Sequence, residues 1–360
     1  MKKTLLLLVA TIVFMSPAAV MFVSPTQVYA STVRDVQYEH ALSRAVSRDP
    51  AIIPLDRESR VAGAHARDLL AEYLQIVNVD REVAEAIYGQ RLIALAERDR
   101  LQRERERMVL EIELRLRNYL ANIASSEQNI ILLEKTLAFQ ENMHEQATLR
   151  LEHGMASEVE VRESELTVEQ TRLNLESVTL VLENERQSLN RLIRQPANVN
   201  IRVIYDIYGY DPLPADTERF VSTLTSRDHN FLDWVGEVET RRFEWQRQLD
   251  DPAVDNRYMR LQHQLAVLER NMAERMAETN VRGAIAEWER NLEQQTALEA
   301  ELAQARADYS DMQNRLEAGL VTQIQVDAMA LAYANAQNQL ARHAYDMWIA
   351  RLRLEHTYAL

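Results

Sequence analysis

Apolar residues recur every three, four or seven positions over stretches much longer than an ordinary helix. Val161, Val168, Leu175, Leu182 and Leu189 step by seven, and Val159, Leu166, Leu173 and Leu180 make a second row beside them. Strict seven-residue spacing belongs to helices that wind left-handedly around a neighbour. A helix with two such rows can pack against two neighbours. Upstream, Val109, Ile112, Leu116, Tyr119 and Ile123 step by three and four, and Ile130, Leu133 and Leu137 resume the spacing. Nothing breaks this pattern from about Arg81 to Leu151. At about 1.5 Å per residue, so long a helix reaches roughly 100 Å. A rod of that length must pack along other rods.

The pattern occurs twice. Arg150-Leu151-Glu152-His153-Gly154-Met155-Ala156-Ser157-Glu158-Val159-Glu160-Val161 matches Arg315-Leu316-Glu317-Ala318-Gly319-Leu320-Val321-Thr322-Gln323-Ile324-Gln325-Val326. The row from Val161 to Leu189 reappears as Val326, Tyr333, Leu340, Met347 and Leu354. An apolar row kept in register across a fixed offset points to a tandem duplication. Each copy reads helix, Gly, Ser or Thr, helix. Gly supplies the left-handed residue that ends one helix, and Ser157 and Thr322 can cap the next. Each copy is therefore expected to be the tip of a helical hairpin.

The remaining elements follow in order. Tyr38–Ser47 is expected as a short helix stopped at Asp49-Pro50, echoed by Phe220–Ser226 before Arg227-Asp228. A helix over Arg57–Ile76, a turn at Val77–Asp80 and the long rod precede the first tip, and Ser157–Ile193 returns from it. Asn200–Tyr208 is the only strand-like stretch, rich in β-branched and aromatic residues. A linker at Asp211–Pro214 leads to a helix reaching about Leu249, a turn at Asp250-Asp251-Pro252, a second long rod and a last helix to about Tyr358. In that second rod Leu261, Leu265, Leu268 and Met272 form one row, and Leu302, Ala305, Tyr309, Met312 and Leu316 another. The expected fold is all-α: two tandem long antiparallel helical hairpins, a short linking strand and no evident β-barrel. Its segments are a signal peptide over 1–30, a first repeat over 31–195, a linker with a short strand over 196–216 and a second repeat over 217–360. Periodicity leaves two packings open, a sheet or ring of rods and a four-helix antiparallel bundle with one broad apolar face.

Composition supports few turns, since there are only 7 Gly and 8 Pro in 360 residues. The absence of Cys excludes disulfides, thiolate metal sites, a catalytic Cys and lipidation at an N-terminal Cys. The formal charge is −14, more negative by two without Lys2 and Lys3, which argues against nucleic acid as a partner. Lys2 and Lys3, the apolar run Thr4–Val23 and Val28-Tyr29-Ala30 have the form of an export signal. An uncleaved membrane anchor is the alternative, although Ser16, Pro17 and Ser24 interrupt the run. No other segment has spanning length without charges.

Candidate chemistry is sparse. His144-Glu145 lacks the second His of a zinc helix, so His144 and His153 read as polar surface residues. There is no Gly-rich phosphate loop and no nucleophile elbow. The Arg98–Arg107 run alternates Arg with Asp and Glu, as a solvated, ion-paired helix face does. Trp234, Trp245, Trp288 and Trp348 are scattered and expected in helix seams. No enzyme, metal or cofactor is expected.

Arg-Leu-x-x-Gly followed by Ser or Thr and a Val-x-Val or Ile-x-Val pair resembles the outer-membrane efflux proteins of the TolC type. So do the duplicated halves, the Arg48-Asp49-Pro50 and Arg227-Asp228 helix ends and the strand-like link, although Asp49 stands where the family usually has Asn. The resemblance covers nearly all of the chain after the export segment. It implies a trimer whose protomers each give four rods to an α-helical tunnel. The tips Gly154, Met155, Ala156, Ser157 and Gly319, Leu320, Val321, Thr322 would meet a periplasmic adaptor (membrane-fusion) protein, fed by an inner-membrane pump. Polar residues behind the tips, Glu160, Gln325 and Asp327, are candidates for the tunnel entrance, where carboxylates can select cations. The other reading of these residues is acidic or polar groups favoured by the helix dipole. The family also places a β-hairpin between upper helix and rod in each half. The matching positions, Ile76–Arg81 and Leu249–Asp255, have no room for one spanning strand of about 9–11 residues. The resemblance thus implies an exported conduit component of the cell envelope without its membrane barrel. A coiled-coil envelope scaffold that transports nothing is the alternative.

Overall fold

The computed structural model describes residues 34–204, 213–249 and 256–360. The expected export signal, most of the link after Ile204 and the turn at Asp250-Asp251-Pro252 lie outside the described residues. The elements in order are β1 (Arg34–Gln37), α1 (Tyr38–Ser47), α2 (Ile52–Ile76), α3 (Arg81–Glu152) and α4 (Glu158–Leu192). After β2 (Ile201–Ile204) come α5 (Thr217–Thr225), α6 (His229–Leu249), α7 (Arg257–Glu317), α8 (Gln323–Glu355) and a 3-10 turn over Thr357–Ala359. The all-α expectation holds, and the two rods are α3, 72 residues, and α7, 61 residues. At about 1.5 Å per residue they run roughly 110 and 90 Å.

Helix α2 begins at Ile52, five residues before the expected start. Pro54 sits in its first turn, where a missing N–H breaks no helical bond. The Asp49 carboxylate accepts from the Ala51 amide at 2.9 Å, so Asp49-Pro50 ends α1 and prepares α2. Four residues, Val77–Asp80, join α2 to α3, and the Asp80 carboxylate caps the rod by accepting from the Val83 amide at 3.1 Å.

The strand-like link does form a strand over Ile201–Ile204, and it pairs in parallel with β1, with Val36 opposite Val203. These are the two strands among the described residues. Asn190, buried at the end of α4, holds the return by donating to the carbonyls of Ala197 and Val199 at 3.2 and 2.7 Å. Below the sheet, Leu116, Leu120, Leu189, Ile193 and Trp348 close a core that joins α3, α4 and α8. A second core joins α5, α7, α8 and the 3-10 turn around Val221, Val281, Trp288 and Met347.

A polar cluster pins the first core. Arg117 donates to Glu113 at 2.7 Å and to the Trp348 carbonyl at 2.8 Å, while its guanidinium lies 4.7 Å from the Trp348 ring centre. The Tyr38 hydroxyl donates to Glu113 at 3.0 Å, and burial followed by the Glu113 charge pushes that phenol well above its usual range. The Arg98–Arg107 run is ion-paired as expected, with Arg100 on Glu97 at 2.7 Å. It also reaches across helices: Arg105 pairs with Asp56 of α2 at 2.5 Å, and Arg103 pairs with Asp233 of α6.

Burial is unevenly distributed along the rods. Beyond Ala121 in α3 and beyond Trp288 in α7, no residue as far as the tips is fully buried. In the halves nearest the tips α3 and α7 themselves contribute only half-buried and exposed side chains, and the fully buried ones, such as Val168 and Val326, come from the returning helices. Such packing leaves apolar surface that this chain does not itself cover.

Candidate functional site: the hairpin tips and an open apolar seam

The two tips share one backbone construction. Gly154 and Gly319 both have φ of +71°. The Gly154 amide donates to the Leu151 carbonyl at 2.8 Å and the Met155 amide to Arg150 at 2.7 Å. At the second tip Gly319 donates to Leu316 at 2.9 Å and Leu320 to Arg315 at 2.9 Å. This pair of bonds is the Schellman closure, which satisfies the last free carbonyls of a helix.

Each returning helix then starts on a hydroxyl residue with a partner three residues on. The Glu160 amide donates to Ser157 Oγ at 3.2 Å, and the Ser157 amide to Glu160 Oε2 at 3.4 Å. These reciprocal bonds form a capping box. At the second tip the Thr322 amide donates to Gln325 Oε1 at 2.9 Å, while the Gln325 amide donates to the Thr322 carbonyl at 3.1 Å. Glu160 and Gln325, singled out from sequence as entrance candidates, thus also build the turn. Asp327 accepts from Gln323 Nε2 at 2.8 Å. The S-x-x-E and T-x-x-Q spacing carried this signal.

Each tip exposes one large apolar residue among polar ones. Met155 and Leu320, the residues immediately after the two glycines, are 63 and 75 % exposed. Ala156 and Val321 beside them are half-buried. His144 is a link between α3 and α4, with its Nδ1 2.8 Å from Ser164 Oγ.

The two rows of α4 have different fates. Val168, Leu182 and Leu189 are buried against α3. Val159, Leu166, Leu173 and Leu180 are 56 to 64 % exposed. The equivalent positions of α8 are Ile324, Leu331, Asn338 and Tyr345, and all four are at least half-buried. The reason is a neighbour: α8 packs along both α7 and α3, whereas the extensive packing of α4 is against α3. A second open row runs along α7. Leu261, Leu265, Leu268 and Met272, the row read from the spacing, and Met276 one step further on are 52 to 62 % exposed.

Among the described residues no group of three or more metal-ligating side chains occurs. None of the described helices is long and apolar enough to cross a membrane. An open groove of about 630 Å³ between α3 and α6 is lined by Trp234 and Leu232, but the Glu97 and Asp233 carboxylates at its wall are held by Arg100 and Arg103.

Comparison with solved structures decides the architecture. The outer membrane protein VceC from Vibrio cholerae superposes with a TM-score of 0.61 at 14 % identity, over 89 % of this chain and 95 % of that one. The chain has the TolC-type fold. CusC, described in terms of folding and transmembrane channel formation, matches with a TM-score of 0.64 at 12 % identity, over 90 and 92 % of the two chains. A membrane protein from Pseudomonas aeruginosa gives 0.61 at 13 % identity, over 91 and 97 %. No family model and no curated relative matches the sequence itself. At such identities the TolC-type likeness is one of backbone architecture. The rods, tips and duplicated halves of this chain are the features that its spacing of apolar residues and glycines records.

Proposed function

We propose that this chain is the helical body of an export conduit in the cell envelope, working as a homo-oligomer and docking an adaptor through its hairpin tips. The open row on α4 carries the reading. Inside the chain, the first half meets the second through α3 against α8 and α6. The same join propagated to another copy sets the α7 row against α2 and α4 of that copy. Ile53, Val61 and Leu74 on α2 are exposed, as are Leu166 and Leu173 on α4. A join that repeats head to tail closes a ring when its rotation divides a full turn. Three copies, as the resemblance implies, would make six hairpins and twelve rods.

In such a ring all tips point one way. Met155 and Leu320 then form an apolar rim for a periplasmic adaptor and, behind it, an inner-membrane pump. Glu160, Gln325 and Asp327 stand about one turn behind that rim, at the entrance. The domain reading over 31–195 and 217–360 fits this arrangement, one hairpin to each repeat.

The chain has no Cys, so introduced thiols are unique. Cross-linking from Met155→Cys and Leu320→Cys in cells should yield an adduct that mass spectrometry identifies as an adaptor protein. Electron microscopy of the purified chain should resolve a hollow cylinder of rods. A monomer with no adaptor adduct would overturn the reading. One observation favours a second reading, a scaffold that conducts nothing: the join between α2 and α3 is only Val77–Asp80. A deletion strain with altered envelope spacing and no accumulation of toxic compounds would select the scaffold.

A further inference from the structure

The bend between α5 and α6 is fastened to the rod by a cluster that the conduit reading does not use. His229, the first residue of α6, is 3 % exposed. Its Nε2 lies 3.3 Å from Glu106 Oε2 of α3, and its ring packs edge-on against Tyr358 of the 3-10 turn at 5.6 Å. The Tyr358 hydroxyl donates to Glu106 Oε1 at 3.0 Å and accepts from Arg227 Nη2 at 2.8 Å. The Arg227 guanidinium stands over the Tyr358 ring at 4.2 Å, and His356 Nδ1 is 3.0 Å from the same hydroxyl. Three parts of the chain therefore meet on one carboxylate.

The cluster suits a neutral imidazole and resists a charged one. With the proton on Nε2, His229 donates to Glu106, and Nδ1 is buried with no hydrogen-bond partner. A second proton would create a buried N–H with no acceptor. The charges facing the ring from α3 are Glu106, Arg103 and Arg107, of which only Glu106 favours the cation. From the bend comes Arg227, engaged with Tyr358, and Asp228, whose carboxylate is occupied in capping α6 through the Phe231 amide at 2.9 Å. From the carboxyl-terminal turn come His356 and Tyr358. Desolvation is the largest influence, and it holds the imidazole below its ordinary value. The Tyr358 phenol, pushed up to about 12 by burial and by Glu106, stays a donor throughout.

We propose that His229 is the pin of an acid-released latch: neutral, it locks the α5–α6 bend and the 3-10 turn onto α3, and protonation frees them. The sign follows from linkage. Above the ordinary value of about 6.5 the ring is neutral whether latched or free, and the latch is fully held. As pH falls below that value the free ring takes up a proton that the latched ring resists, so closure weakens until the lower, latched value is passed. The released part includes α6, which carries the Asp233 partner of Arg103. Acid would therefore loosen the cover of α6 on α3 while leaving the tips closed.

Hydrogen exchange on the full chain at pH 7.5 and 5.5, corrected for the intrinsic rate, tests this. Amides of residues 229–235 and 356–360 should lose protection several-fold on acidification, while those around Gly154 and Gly319 should not. His229→Gln, which keeps a donor and cannot be protonated, should hold protection at both values, and His65→Gln, at an exposed position outside the cluster, should respond as the natural chain does. An equal loss in His229→Gln, or no loss in the natural chain, would overturn the latch. The histidine resonance of the natural chain gives an independent reading should His229→Gln fail to fold. A His229 midpoint below 6.5 supports the latch, and one at or above 6.5 sinks it.

Discussion

Gly154 and Gly319 hold the same left-handed φ of +71°, and an added Cβ would meet no atom within 4 Å at either. Space therefore does not demand glycine at the tips. Backbone conformation does. An L side chain in this region is disfavoured by about 1–2 kcal/mol. Gly154→Ala and Gly319→Ala should each lower stability by about 1 kcal/mol in urea denaturation, and Gly154→Asn by less, since Asn tolerates the left-handed region. The hydrogen bonds of each tip stay within that tip, so the double variant should lose the sum.

The apolar rows of α4 separate folding from association. Leu182 is 7 % exposed and Leu166 is 64 % exposed, though both belong to seven-residue rows of one helix. Leu182→Glu puts a charge into a covered seam and should destabilise the chain by several kcal/mol. Leu166→Glu with Leu173→Glu should leave the stability of the isolated chain within about 0.5 kcal/mol. The same double variant should abolish self-association in light scattering and sedimentation. If it assembles as the natural chain does, the seam between copies lies elsewhere.

The difference between these rows marks where reading the sequence stopped. Spacing by three, four and seven gave the rods to within a few residues, because burial of one helix face imposes that period whatever the partner. Gly followed by Ser or Thr gave both tips, because left-handed backbone and amide capping are local demands. Spacing did not reveal what covers a face: it marked Leu261, Leu265, Leu268 and Met272 as a row, and the row lies open on this chain. Strand β1 was missed because Arg34–Gln37 has a single buried apolar residue, Val36, and is a strand only through its pairing with β2. The Arg98–Arg107 run read as a solvated face. Its decisive partners, Asp233 for Arg103 and Tyr358 for Glu106, are 130 and 252 residues away.

Arg117 shows what a partly buried charge contributes when it is fully partnered. Its side chain and that of Glu113 are 14 and 15 % exposed, so water screens the pair poorly. Arg117→Ala leaves Glu113 with the Tyr38 hydroxyl and removes the side-chain donor to the Trp348 carbonyl. Breaking one side of a buried pair costs about 3–5 kcal/mol, and the loss here should fall near the lower figure because some exposure remains. Arg117→Lys keeps the charge but not the planar fork that serves Glu113, Tyr38 and the carbonyl together. Equilibrium unfolding should rank the natural chain above Lys and Lys above Ala. Equal stability of all three would mean that the core around Trp348 holds without the cluster.

Gly89 sets two effects of known size against each other. It lies inside α3, where alanine is favoured over glycine by about 1 kcal/mol. A Cβ there, however, would stand 2.8 Å from Phe243 Cε1 of α6. The ring has little freedom to retreat, since Tyr88 packs against it at 5.5 Å and Tyr73 packs behind Tyr88 at 5.6 Å. Overpacking of this kind costs about 1–3 kcal/mol and exceeds the gain in propensity. Gly89→Ala should therefore destabilise the chain by about 1 kcal/mol. Gly283→Ala, with open space at its Cβ, should stabilise it by a similar amount. Combining Gly89→Ala with Phe243→Leu should cost less than the two separate losses added together, because the smaller side chain removes the clash. Strict additivity in that double-mutant cycle would mean that α6 does not rest on α3 at this contact.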